Sequence, residues 1–283
     1  MEANQLPDII VGGAPKCGTS SVYFWLAAHP QVCASPVKET FFFADEVSRF
    51  NSQCNVMEHG LEDYAKYFQA CSSDQLKMEA TAPYIYYRNA LEQIPNLASQ
   101  PKVMMWLREP AARLYSQYRF ERYRTQRINM SWDEYRAQPE LIAHGRYSDY
   151  LAKWKDALGD SRLYVDSFEN LVSDPVQAMQ RAAKFLNIDA SFYDRYDFVQ
   201  HNETVAIRAK FLHRLGLRAQ RFIPHSLQEK LLPIYLKINA GKMPPKESND
   251  KEGVESLRRN EFASEQQQLE ALFPDLDLSS WGS

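Results

Sequence analysis

From residue 13 to residue 21 the chain reads Gly-Ala-Pro-Lys-Cys-Gly-Thr-Ser-Ser, a run dense in groups that hold anions. Gly13 and Gly18 have the spacing of the nucleoside-triphosphate loop, G-x-x-x-x-G-K-[ST], and Ser20 occupies its Ser/Thr position. Thr19 stands where that loop carries its lysine, and the lysine has moved inside the loop, to Lys16. The physics of the cradle survives the move. A helix that begins at this point presents unpaired backbone N–H groups and the positive end of its dipole, and the Thr19, Ser20 and Ser21 hydroxyls add donors. Lys16 adds a point charge able to reach a bridging or leaving oxygen. Support for Mg²⁺ is missing, because a triphosphate site pairs the loop with an acid at the end of a neighbouring strand. The best buried strand of this chain, residues 102–108 (KVMMWLR), ends instead in Arg108, with Ser116 eight residues further on. Two separate anion grips without an obligatory metal fit a nucleotide phosphorylated at both ends of its ribose.

Glu39, in the segment Lys-Glu-Thr-Phe-Phe-Phe (38–43), is a carboxylate beside a lysine, a pattern that by itself reads more simply as a surface pair than as a general base. Phe41, Phe42 and Phe43 around it predict a carboxyl desolvated by aromatic rings, with a raised pKa. Cys17 stands beside a lysine and a helix start, both of which lower thiol pKa, but it reads more simply as a small loop residue. Tyr84, Tyr86 and Tyr87 are candidates for an acceptor pocket, with packing as the plainer role. Arg113, Arg119, Arg122, Arg124 and Arg127 give one helix a basic side, either a solvated face or a rim that steers anions. His29 reads as a helix C-terminal residue, and Trp106 and Trp154 as core.

Positioning these groups requires strands that end where the chemistry begins. Residues 8–14 (DIIVGGA), 102–108 and 161–168 (SRLYVDSF) read as buried strands and 76–79 as strand-like. Residues 18–29, 61–70, 111–124, 145–158 and 174–186 read as helices; on the fourth of these Tyr147, Tyr150, Leu151, Trp154 and Leu158 share one face. Strands alternating with helices of this length predict an α/β fold, a central parallel sheet flanked by helices. The polar run 244–253 (PPKESNDKEG) reads as a flexible loop, and the final LSSWGS as exposed. One domain over 1–283 is expected, with its core at about 8–190 and a helical lid at about 200–283.

Composition narrows the function. The 283 residues carry a net charge of −3, which gives no footprint for sequence-independent nucleic-acid binding. No apolar run approaches the ~18 residues of a membrane span, and MEANQLPD lacks a secretory pattern. The expectation is a soluble, cytoplasmic protein. Its four cysteines, Cys17, Cys33, Cys54 and Cys71, form no CxxC pair and are expected as reduced thiols, not metal ligands.

PKCGTSS after one strand, LREPAARLYSQY after another and KETFFF between them resemble a sulfotransferase that uses 3′-phosphoadenosine 5′-phosphosulfate (PAPS). The likeness is to the carbohydrate branch, the heparan-sulfate type and its bacterial relatives. LAAHPQV, EATAPY, GRYSDYLAKW and LYVDSFENLVSDP extend it over about residues 8–190, with a weaker echo at DLSSW. The resemblance implies a P-loop-like sulfotransferase fold with Lys16, Cys17, Gly18, Thr19, Ser20 and Ser21 around the 5′-phosphosulfate. It implies Arg108 and Ser116 on the 3′-phosphate and Glu39 as base. Arg208, with Lys242 behind it, is the candidate for the basic loop that closes over the 3′-phosphate. Two departures, Phe41 where many of those enzymes have histidine and Ala80 where some have lysine, speak against a heparan-like polyanionic acceptor.

The implied reaction is in-line transfer of the sulfuryl group to a hydroxyl or amine of a saccharide, glycolipid or small metabolite. It releases adenosine 3′,5′-bisphosphate (PAP) and requires no metal. Lys16 and the helix start are expected to stabilise the leaving oxygen, and Glu39 to take the acceptor's proton. Two rivals stay open: a P-loop kinase or hydrolase, against which Thr19 speaks, and a non-catalytic nucleotide-binding protein, against which the pair Lys16 and Glu39 speaks.

Overall fold

Strand β1 (Ile9–Gly13) is buried at every residue and forms the middle of a five-stranded parallel sheet. The others are β2 (Val32–Ala34), β3 (Leu76–Ala80), β4 (Lys102–Leu107) and β5 (Leu163–Ser167), in the order β2-β3-β1-β4-β5. Helices flank the sheet, so its central strands are apolar along their length instead of alternating. From β1 the chain builds β2 and β3 on one side, then crosses to add β4 and β5 on the other. The connections after β1 and β4 therefore part in opposite directions and leave a crevice at the carboxyl edge between two paired strands. Pairings such as Ile9 with Lys102 and Val11 with Met104 fix how those two strand ends stand beside each other.

A computed structural model describes residues 5–199, 206–207, 240–241, 244–245 and 248–282. Its helices are α1 (Thr19–Ala27), α2 (Leu61–Ala65), α3 (Arg88–Gln93), α4 (Pro110–Arg119), α5 (Trp132–Arg136), α6 (Pro139–Ala143), α7 (Tyr147–Leu158), α8 (Phe168–Ser173), α9 (Pro175–Leu186), α10 (Ser248–Asn260) and α11 (Glu265–Leu272). A short antiparallel pair joins β6 (Ala206–Ile207) to β7 (Ala240–Gly241). Helix α4, which carries Ser116, starts at a proline whose missing N–H costs nothing there. The Glu109 carboxylate caps it, accepting from the N–H groups of Ala111 at 3.0 Å and Ala112 at 2.8 Å. Leu114, Tyr115 and Tyr118 of α4 pack with Trp132, Tyr135, Leu257 and Phe262 in a second apolar cluster that binds α10 to α4 and α5. Ser148 of α7 donates its N–H to Glu265 of α11 at 2.7 Å. Among the described residues no helix is long and apolar enough to cross a membrane.

Several expectations are corrected. Ser248 to Gly253, six of the ten residues of the predicted flexible run, are the first residues of α10. Their polarity does not prevent a helix because the partners are tertiary: the Tyr115 hydroxyl donates to Asp250 at 2.5 Å, and the Trp132 indole occupies the space a side chain on Gly253 would need. Trp281, in the segment read as exposed, is buried and donates to Glu169 at 3.0 Å. Arg113 belongs to no solvated basic face; it is wholly buried and donates to Gln117 at 2.7 Å. Cys33 and Cys71 form a disulfide across 38 residues, whereas Cys17 and Cys54 are free and buried. Arg208 and Lys242 lie outside the described residues.

Candidate active site

The loop between β1 and α1 stays anchored to β4: the Ala14 N–H donates to the Trp106 carbonyl at 2.7 Å. It then turns through two left-handed residues, Lys16 (φ 70°) and Gly18 (φ 81°). Gly18 is also held by space, since an added Cβ would lie 2.9 Å from a methyl of Leu171 and 3.1 Å from the Phe168 ring. Helix α1 has neither a side-chain cap nor an acid in its first turn. Helices α4, α5, α8 and α9 are capped by the side chains of Glu109, Ser131, Ser167 and Asp174. The start of α1 opens on a cavity of about 1330 Å³ whose wall includes Lys16, Gly18, Thr19, Ser20 and Ser21. Cys17 is not part of that wall. Its thiol is buried, lies 3.6 Å from the Pro15 carbonyl, and is pushed up to about 12 by burial.

Arg108, Ser116 and Glu39 line the same cavity, so it brings together every predicted site residue that is described, apart from Cys17. Arg108 follows β4, next to β1 in the sheet, which is why it and Lys16 share one crevice. Its guanidinium lies over the Phe168 ring, 4.7 Å from the centroid, and the Lys16 ammonium lies 4.1 Å from the Phe120 centroid. Among the described residues neither cation has a carboxylate within ion-pair distance. Burial first, and the Arg108 charge second, pull Lys16 down to about 8. Two cations held in each other's field, neither ion-paired among the described residues, are poised for an anion, whose charge would repay the desolvation of both.

Glu39 arrives by a different route. It follows the edge strand β2, and its N–H donates to the Ala80 carbonyl at the end of β3, at 2.7 Å. Its backbone is left-handed (φ 61°), as is that of Phe41 (φ 51°). Non-glycine residues in this region are sparsely populated and collect at functional sites, and here three of them share one cavity. The predicted aromatic jacket is absent. Phe42 and Phe43 turn into the core against Tyr64, with centroids at 4.4 Å and 5.2 Å, and only Phe41 faces the cavity. The Glu39 side chain is 37% exposed and accepts from Lys38 at 3.3 Å. It lies close enough for its charge to act on Lys16.

Of the three tyrosines, Tyr86 and Tyr87 reach the wall, while Tyr84 is buried and holds the Phe43 N–H at 3.2 Å. Arg124 and Arg127 line the cavity; Arg122 donates to the Met130 carbonyl at 2.6 Å, and Arg119 to Tyr115 at 3.2 Å and to the Pro244 carbonyl. His29 is structural, bound to the Asp189 carbonyl at 2.9 Å. Sequence reasoning missed Phe168, Phe120, Glu121 and His144. Phe168 had a signal: it follows β5, the neighbour of β4. His144 had none, because it reaches the wall by stacking on Tyr86 at 4.2 Å; burial and then Arg113 lower it to about 4, so it is a neutral imidazole at pH 7.

Residues 6–211 match the sulfotransferase domain family. The chain is 27% identical over 202 residues to bifunctional heparan sulfate N-deacetylase/N-sulfotransferase 4 of Mus musculus, covering 65% of this chain and 23% of that protein. It is 26% identical to the corresponding enzyme 3 of Homo sapiens, with the same coverage. It thus spans about a quarter of the length of these relatives. A sulfotransferase structure from Alicyclobacillus acidocaldarius has a TM-score of 0.67 at 21% identity and covers 98% of this chain and 99% of its own, which shows a common fold. With that fold, the match over most of its length and the anion-poised crevice at the β1–β4 edge, the chain belongs to the sulfotransferase domain family.

Proposed function

We propose that the chain transfers the sulfuryl group of PAPS to a hydroxyl or amine and releases PAP. The observation that carries this reading is the pairing of Lys16 and Arg108 across one crevice, each without a carboxylate partner among the described residues. The donor has a phosphosulfate at one end of its ribose and a phosphate at the other. The uncapped start of α1, with Lys16, suits the first, and Arg108 with Ser116 suits the second. A volume of about 1330 Å³ exceeds the ~300–1,000 Å³ usual for one small ligand and leaves room for a second substrate.

In the transfer, the bond between sulfur and the bridging 5′-phosphate oxygen breaks as a bond from sulfur to the acceptor oxygen or nitrogen forms. Charge gathers on the departing phosphate oxygen, and Lys16 with the α1 N–H groups is preorganised to meet it. Glu39 takes the acceptor's proton. Saccharide, glycolipid and small-metabolite acceptors all present such a group, and the relatives' names include heparan sulfate. Beside Phe41, Phe50 and Tyr87 the wall carries Asp45, Glu46 and Glu121 together with Lys38, Arg124 and Arg127, a rim of mixed sign that selects no acceptor charge. One chain from residue 1 to 283 forms a single sulfotransferase unit in this reading, with Arg208 the basic group over the 3′-phosphate. The Cys33–Cys71 disulfide fits an oxidising compartment better than the cytoplasm that the sequence favoured.

The test is a screen with PAPS carrying radiolabelled sulfate against pooled glycans, alkyl glycosides and small alcohols and amines, read by mass spectrometry. Labelled product and PAP formed in equal amounts support the reading. Failure of PAP to bind, or label transfer unchanged in Lys16→Ala, refutes it.

A further inference from the structure

Glu79 of β3 is wholly buried and outside the cavity wall, and the reaction just described does not use it. Among the described residues no Lys or Arg lies within ion-pair distance of it. Its surroundings are hydroxyls. Oε2 accepts from Thr40 Oγ1 at 2.6 Å and from Thr81 Oγ1 at 3.2 Å, and Thr40 Oγ1 in turn lies 3.3 Å from the Tyr84 hydroxyl. The Tyr64 ring from α2 adds a fourth phenol or alcohol to the group. Burial pushes the carboxyl's pKa up, and the hydroxyls around it pull it back.

Those hydroxyls have a second task. Thr81 Oγ1 accepts from the Phe41 N–H at 3.4 Å, Thr40 Oγ1 from the Phe42 N–H at 3.3 Å, and the Tyr84 hydroxyl from the Phe43 N–H at 3.2 Å. Three successive amides of a loop with two left-handed residues, Glu39 and Phe41, thus hang on side chains that converge on one carboxyl. A hydroxyl that spends its own proton on an acceptor is oriented, and its lone pairs are then aimed at the amide. Without that acceptor the three hydroxyls rotate, and the loop loses what opposes its unfavourable backbone.

We propose that Glu79 is the positioning residue of the acceptor lip: through Thr40, Thr81 and Tyr84 it holds the backbone of residues 39–43 so that the Glu39 carboxylate is presented to the cavity. The inference rests on Glu39 being the base, but its structural half stands apart from that assignment. A neutral acceptor oxygen suffices for this task, so Glu79→Gln retains it and Glu79→Leu abolishes it.

Hydrogen exchange of the full-length protein, followed by mass spectrometry on a peptide covering 38–45, reads the hanging amides directly. Protection matches the parent in Glu79→Gln and is lost in Glu79→Leu and in the isosteric Thr40→Val, which keeps the test alive if the leucine variant does not fold. PAP affinity, by calorimetry, stays within about twofold in the folded variants, while turnover with the acceptor found by the screen falls up to ~10²-fold, the cost of a catalytic group misplaced by about 1 Å. Unchanged protection in Thr40→Val and in folded Glu79→Leu overturns the proposal, as does PAP affinity that falls in step with turnover. Full turnover in Glu39→Gln sinks the base assignment instead and leaves the amide result standing.

Discussion

On one side of the cavity Lys16, the start of α1 and Arg108 hang from the carboxyl ends of β1 and β4, paired strands whose register is set by their buried ladder. On the other, Glu39 sits in a loop beyond the edge strand β2, held by a backbone bond to Ala80 and a group of buried hydroxyls. The phosphate side carries two neighbouring cations, neither with an ion-paired carboxylate among the described residues. Left-handed non-glycine backbone occurs on both sides, at Lys16 on the first and at Glu39 and Phe41 on the second, where buried hydroxyls hold the loop amides. A sheet edge is rigid and suits a donor that does not vary. A loop hung on side chains can be rebuilt without disturbing the sheet, and so suits an acceptor that differs between members of a fold.

The largest effect is expected on the acceptor side. Glu39→Gln lowers turnover by ~10²–10⁴-fold, the usual worth of a general base, and leaves PAP affinity nearly unchanged in calorimetry. Equal loss of both makes Glu39 a binding residue and dissolves the contrast. Next comes Lys16→Ala, expected to cost ~10²–10³-fold in turnover by loss of a preorganised charge at the leaving oxygen. The same substitution raises the melting temperature of the free protein. Lys16 has its folded pKa lowered from 10.5 to about 8, so below pH 8 the folded state bears a cost that disappears as pH climbs towards 10.5. At ~1.4 kcal/mol per pKa unit the cost is up to ~3 kcal/mol, and a fall in melting temperature at pH 7 contradicts it.

The smallest effect is a slope. With Lys16 titrating at about 8 in the free protein, PAP binding above that pH must take up a proton. Its Kd then rises by up to ~tenfold per pH unit between 8 and 9, and is nearly flat below 7. Calorimetry in two buffers of different ionisation enthalpy counts the protons. A dependence that survives in Lys16→Ala belongs to another group.

The same division governs what the sequence discloses. The phosphate side is contiguous: strand, glycines, lysine and hydroxyls lie within residues 9–21, and Arg108 closes a strand legible from its apolar run. The role of Glu39's neighbours was not legible, because Phe42 and Phe43 belong to the core and the hydroxyls that hold the loop come from β3 and the turn after it. Edge strand β2 has only three residues, too few for periodicity. Helix α3 lacks a local start signal, since its first N–H groups, on Arg88 and Asn89, are accepted at 3.0 Å and 2.8 Å by Asp45 from the acceptor loop. Helix α5 carried a start signal that the sequence reading did not use, the capping box of Ser131 and Glu134. The Cys33–Cys71 pair joins residues whose spacing carries no motif, so only the fold brings them together.

One comparison of ligands tests the central claim, that Lys16 and Arg108 grip opposite ends of a single nucleotide. PAP and adenosine 5′-monophosphate differ only in the 3′-phosphate. Calorimetry on the parent protein is expected to give tighter binding of PAP, by at least ~tenfold, the low end of a charge-assisted pair. Arg108→Ala should erase that preference while sparing the monophosphate, and Lys16→Ala should weaken both ligands alike. An Arg108→Ala protein that still prefers PAP, or that loses both ligands equally, contradicts the account.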